Sequence, residues 1–170
     1  MADKIDDLES RSRRCNLRVV GVPERREGAD PVAFMSGFFT EVLGDSLAAS
    51  PMKLDRAHRL GPHPTPGSAA KSGPRVMIVK FHNFWDKEAI LRRPAREQLH
   101  FRGKKIHIFP DFTSVVAKKR AGFVDVKRIL HEKKIRFSLR FPAILHVDHN
   151  GENLRFASPA EAKAWLGRVV

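Results

Sequence analysis

The sequence predicts an α+β protein: a β-α-β-β-α-β unit over residues 16–110, then a small α+β unit over 111–170, with a short helical stub ahead of both. Three patterns carry that expectation. Two apolar, β-branched runs, LRVVGV at 17–22 and RVMIVKF at 75–81, are each followed by a stretch of helical periodicity. A further strand pattern, KIHIF at 105–109, completes the first unit. Beyond Asp111 a long amphipathic stripe gives way to three short strand patterns and a last helix.

Residues 1–15 form the stub, where Ile5 and Leu8 have the spacing of neighbours on one helix face and Arg11, Arg13 and Arg14 follow. It reads equally as the last turns of a coiled coil or as an isolated terminal helix, because one apolar pair does not establish heptads. Leu17–Val22 is a buried strand that Pro23 stops. Asp30-Pro31 supplies an N-cap and a first-turn proline, Phe34, Phe38, Val42 and Leu43 recur at helical spacing, and Gly44 closes the helix. Lys53–Leu60 alternates weakly, as an edge strand does. Residues 61–74, GPHPTPGSAAKSGP, are a flexible loop inside the unit. Arg75–Phe81 is the next strand. Asn83 and Asp86 sit where a cap and its return partner would, and a helix runs through Ile90 and Leu91 to Pro94. Gly103 makes a turn, and Lys105–Phe109 is a strand with Ile106 and Ile108 inward. That order predicts a ferredoxin-like sandwich: a four-stranded antiparallel sheet with both helices on one face and the other face open.

In the second unit, Thr113 or Ser114 caps one long helix to about Lys134, with Phe112, Val116, Phe123, Val126 and Leu130 on one stripe. Strands are expected around Phe137–Arg140, Ile144–Val147 and Leu154–Phe156. Asn150-Gly151 turns between the last two, and Ser158-Pro159 opens a final helix through Trp165 and Leu166.

The chain has 170 residues, with 32 Lys+Arg against 19 Asp+Glu and a net charge of +13. Such a surplus favours a polyanionic partner over mere solubility. The 42% hydrophobic content argues against wholesale disorder. Cys15 is the sole cysteine, so no internal disulfide forms, as suits a reducing compartment. The acidic MADKIDDLES terminus has no apolar run, and no stretch approaches the roughly 20 residues of a membrane span. Cytoplasm or nucleus is the expected location.

Alternation locates the candidate binding residues. With Leu17, Val19, Met77, Val79 and Phe81 facing the helices, Arg18, Val76, Ile78 and Lys80 face the open side. RNA-binding sheets of this topology usually stack bases on aromatics there. Arg18, Val76 and Ile78 hold those positions, so the sheet alone reads as a poor stacking surface. On the long helix, counting about 100° per residue from Val116, Arg120 at ~40° and Lys127 at ~20° flank the stripe, and Lys119 falls within it. These cations read as a cleft wall against the first sheet, or else as a solvated helix with snorkelling stems. Arg136, Arg140 and Phe141 come next, Phe141 being either a stacking ring or a core residue. Arg13, Arg14 and Lys104 are the remaining candidate cations.

Chemistry is harder to find. The carboxylates are scattered, and no pair has two-metal context. His146-x-x-His149 flanks a turn without a cysteine or a second ligand pair, a weak zinc signal. No nucleophile elbow, P-loop or dinucleotide fingerprint appears. No catalytic residue, metal ligand, cofactor, small-molecule substrate or membrane contact is expected. The alternatives to nucleic-acid binding are a protein-interaction module docking a partner on the aliphatic Val76–Ile78 face and, last, a nuclease.

ESRSRRCNLRVVGVPE at 9–24, ARE-Q-L at 95–99, FRGKKIHIFPDFT at 101–113 and KKIRFSLRFPAILHV at 133–147 resemble the first-open-reading-frame protein of LINE-type retrotransposons. The resemblance covers nearly the whole chain. It implies an RNA-recognition domain followed by a small C-terminal domain, with a single strand of RNA, or single-stranded DNA, clamped between them with little sequence specificity. It also implies ribonucleoprotein assembly, nucleic-acid chaperone activity and a homotrimer built by a long coiled coil, of which only the KIDDLESRSRR stub stands here. Some members are labelled transposase, a label that marks the element they come from. The family's RNA-contacting cations fall on Arg18, Lys80 and Arg120. Members often carry arginine at the place of Lys80 and two arginines from the place of Arg120, where Ala121 follows here and Lys119 precedes. Phe141 stands where many have tyrosine, which keeps the ring and loses a hydroxyl.

Overall fold

Helix α1 (Ala2–Ser12) opens the chain with no buried residue; Ile5 is 63% and Leu8 58% exposed. A computed structural model describes residues 2–44, 52–65, 73–93 and 98–169. Those residues divide into two compact units, 1–111 and 112–170.

In the first unit, β1 (Asn16–Val20) is central because Leu17 and Val19 are fully buried. It is shorter than the expected run to Val22, since Gly21 takes φ +107° and turns the chain out of the ladder. Helix α2 (Pro31–Leu43) starts as its sequence dictates: the Asp30 carboxylate accepts the Ala33 N–H at 3.1 Å, and Gly44 ends it at φ +69°. Strand β2 (Leu54–Arg59) pairs with β3 (Met77–Phe81), with a bulge between Leu54 and Arg56. In α3 (Phe84–Leu91) the Asn83 side chain accepts the Trp85 N–H at 2.9 Å. The expected stop at Pro94, the 95–97 part of the resemblance and the middle of the 61–74 loop lie outside the described residues.

A strand that the periodicity did not suggest, β4 (Leu99–Phe101), forms a hairpin with β5 (Lys104–Pro110). Arg102 and Gly103 both take positive φ, as a tight two-residue turn requires. The sheet therefore has five strands in the order β2-β3-β1-β5-β4, and every neighbouring pair is antiparallel. One core joins Leu17, Val19, Met77, Val79, Phe81, Ile106 and Ile108 of the strands to Met35, Phe38, Phe39 and Ile90 of the helices. Burying a large apolar side chain is worth about 1.5–3 kcal/mol, so this cluster dominates the unit's stability.

The second unit begins with Thr113, whose hydroxyl accepts the Val116 N–H at 3.2 Å. The expected long helix is two: α4 (Ser114–Ala121) and α5 (Val124–Glu132). The break falls at Gly122, a poor helix former, where a Cβ would come 3.2 Å from the Pro159 ring. Strands β6 (Arg136–Arg140), β7 (Ile144–His149) and β8 (Glu152–Phe156) form an antiparallel sheet in that order. Asn150 and Gly151 turn between the last two at φ +51° and +79°. Helix α6 (Pro159–Val169) follows, with the Ser158 hydroxyl accepting the Glu161 N–H. Phe123, Val126, Leu130, Leu145, Val147, Ala162 and Leu166 form the second core. The molecule is mixed α+β throughout.

Candidate nucleic-acid interface

On the first sheet, the face away from the helices is set by the same alternation that builds the core. Arg18 lies opposite Ile78 on β3 and opposite Phe109 on β5, while Asn16 lies opposite Lys80. Arg18 and Lys80 are thus diagonal neighbours, about 7–8 Å apart at the backbone. Neither side chain makes an ion pair or hydrogen bond among the described residues. Arg56 continues the Lys80 row on β2, and His58 continues the Ile78 row.

The face is not the poor stacking surface that Arg18, Val76 and Ile78 suggested. Phe109 is 50% exposed, and its ring lies parallel to that of His107, 6.1 Å away at 8°. The signal was present: with Ile106 and Ile108 inward, alternation turns Lys105, His107 and Phe109 outward. Ile78 is only 7% exposed, so it presents no open aliphatic patch.

In the second unit two of the sequence-predicted residues, Arg120 and Phe141, converge on one group. The Arg120 guanidinium donates to the carbonyls of Leu139 and Pro142, each at 3.1 Å, and lies 4.5 Å over the Phe112 ring. Phe112 in turn stacks on Phe141 at 6.1 Å and 24°. Phe141 is 59% exposed, so its outer face is open. Burial pushes the Arg120 guanidinium below its ordinary range through desolvation; arginine nonetheless stays cationic in proteins. Phe112 therefore belongs to this layer more than to the helix stripe.

The other cations scatter. Lys119 is exposed on α4, outside the packed stripe, because that short helix buries Val116 alone. Lys127 is half-buried on α5, and Arg140 is exposed at the end of β6. Arg13 is held by Glu9 at 2.6 Å and Asp111 at 3.4 Å, and Asn16 donates to the same aspartate at 3.0 Å. It ties the end of α1 to the sheet. Arg14 lies 4.3 Å over Phe84. Lys104 is exposed but sits five residues along β5 from Phe109, about 17 Å at 3.4 Å per residue. No group of three metal-ligating side chains occurs among the described residues.

These features define a class: a basic α+β chain in which each of two units sets a cation against an exposed ring. No protein-family model matches the chain. It is 26% identical over 169 residues to the LINE-1 retrotransposable element ORF1 protein of Mus musculus, covering 98% of this chain and 46% of that one. It is 25% identical over 174 residues to LINE-1 type transposase domain-containing protein 1 of the same species, covering 98% and 21%. The human protein of that name is 27% identical over 160 residues, covering 91% and 18%. The chain thus spans less than half the length of these relatives. The resemblance read from its motifs is borne out: the chain is LINE ORF1-like over nearly its whole length.

Proposed function

We propose that this chain binds single-stranded RNA, with phosphates held by lysine and arginine and bases stacked on Phe109 and Phe141. One observation carries the reading: in each unit a cation stands against an exposed aromatic ring, Arg18 beside Phe109 and Arg120 on the Phe112–Phe141 pair. The strand order β2-β3-β1-β5-β4 supports reading the first unit as a ferredoxin-like RNA-recognition domain and the second as its small C-terminal companion. One strand engaged by both units, with little base specificity, suits contacts made mainly to phosphate. Lys80, Lys119, Lys127 and Arg14 add charge to this contact, while Arg13 and Lys104 stand apart from it. Coating a transcript in a cytoplasmic ribonucleoprotein and acting as a nucleic-acid chaperone are the roles that follow, without catalysis by this chain. Homotrimerisation would need a longer coiled coil than α1 provides.

The test is binding of a labelled single-stranded RNA at two salt concentrations, with wild type, Phe109→Ala, Phe141→Ala and Arg120→Ala. Affinity falls steeply with salt. Each ring truncation weakens binding roughly five- to hundredfold, as stacking is worth about 1–3 kcal/mol per base. Phe141→Ala is cleaner than Arg120→Ala, since Arg120 also holds two carbonyls of its own unit. Affinity indifferent to salt and to all three substitutions overturns the reading. A parallel titration with single-stranded DNA measures the preference between the two.

A further inference from the structure

We propose that the outer face of the β6-β7-β8 sheet is a further binding surface for a phosphodiester backbone, carried by Arg136, Arg140 and Arg155. The proposal rests on the RNA-binding reading and adds a site to it.

The register builds the face. Phe137 and Leu139 of β6 and Leu145 and Val147 of β7 point into the core, so Arg136, Ser138 and Arg140 point away from it. Ser138 lies opposite His146, which lies opposite Arg155, forming one polar row across all three strands. Arg136 and Arg140 flank that row on β6, about 14 Å apart at 3.4 Å per residue. All three arginines are exposed.

What marks the face is its lack of counter-charge. Several arginines elsewhere are spoken for: Arg59 by Glu27, Arg75 by Glu24, Arg13 by Glu9 and Asp111. The side chains of Arg136, Arg140 and Arg155 have no ion pair or hydrogen bond among the described residues. Asp148 is the single carboxylate among the described strand positions of this face; it lies opposite Arg136 in the register, yet its side chain accepts from the Asn153 amide at 2.6 Å and makes no ion pair with that arginine. Lys133 and Lys134, both exposed, lead into β6 and extend the charge along the strand axis. Three forked donors on a flat face fit an extended row of phosphate oxygens better than one buried anion. The half-buried His146 is the one ring among the described strand positions of the face, so the contact is to backbone and not to bases.

The experiment uses the full chain and a long single-stranded homopolymeric RNA, with affinity measured across a salt series. Replacing all three arginines by glutamine makes log K against log salt shallower by about 2, three phosphates at roughly 0.7 each. Replacing them by lysine keeps the slope, which separates charge from any structural effect. An unchanged slope in the glutamine variant overturns the proposal, as does an equal loss in the lysine variant. If Phe141→Ala still weakens binding in that case, the RNA-binding reading survives while this face drops out. If the wild type itself shows no salt-dependent binding, both fall together.

Discussion

Arg59 shows how much one side chain can fix. Its guanidinium takes Glu27 through two nitrogens and reaches the carbonyls of Val22, Pro23 and Arg75, at 2.7–2.9 Å for the shortest bonds. Arg75 holds Glu24 in the same bidentate way. Together they lock the segment after β1 to the ends of β2 and β3. Arg59→Ala leaves Glu27 without its partner and should cost about 3–5 kcal/mol, measured by denaturant unfolding. The pH dependence follows from the same residues. The side-chain hydrogen bonds from Arg75 and Arg59 hold Glu24 and Glu27 below the usual glutamate range, against desolvation, which raises them. Depressed folded pKa values mean stability that is complete above the ordinary value of about 4.3 and is lost as pH falls below it. Glu24→Gln with Glu27→Gln should flatten the acid limb of a stability–pH curve; an unchanged limb contradicts the brace. None of this was legible beforehand, since Glu24 and Arg75 are 51 residues apart and only the folded register brings them together.

At the scale of elements, the hydrophobic patterns located most strands and helices to within a few residues, because period-2 and period-3.6 signals follow directly from which face is buried. They failed where a single backbone position decided. Gly21 ends β1 early because its conformation is left-handed and a Cβ there would collide with the Lys105 carbonyl. Gly21→Ala should cost about 2 kcal/mol or more, whereas Gly103→Ala, also at positive φ but with nothing within 4 Å, should cost about 1 kcal/mol. Equal unfolding midpoints for the two variants would contradict the collision. β4 escaped notice because three residues carry too little alternation to register. Gly122 sits in a continuous apolar stripe that spacing alone cannot interrupt. The candidate site was legible in its cations, Arg18, Lys80 and Arg120. Its rings were only half seen: Phe141 by its neighbours, Phe109 not at all, although the alternation that turned Ile108 inward turned Phe109 out.

For the whole molecule, the +13 charge is a total whose members have different fates. Some arginines hold the fold together, as Arg59 and Arg75 do, and the salt response of binding should exclude them. The prediction is that neutralising Lys80 lowers the salt slope by a little under one unit and leaves stability near wild type, since it is exposed and unpaired. Arg59→Ala should do the reverse. A matched pair of salt series and unfolding curves reads both.

The bulge between Leu54 and Arg56 has a consequence of a different kind. β2 is a border of the five-stranded sheet, and its unpaired backbone groups would otherwise template another chain. The bulge distorts that rim, exposed Asp55 and Arg56 charge it, and at the opposite border β4 offers only three residues. On the proposed function, copies that crowd onto one polymer would come within reach of each other. Blunted borders would then let such copies sit shoulder to shoulder without zipping into fibres, and dense coverage would stay reversible.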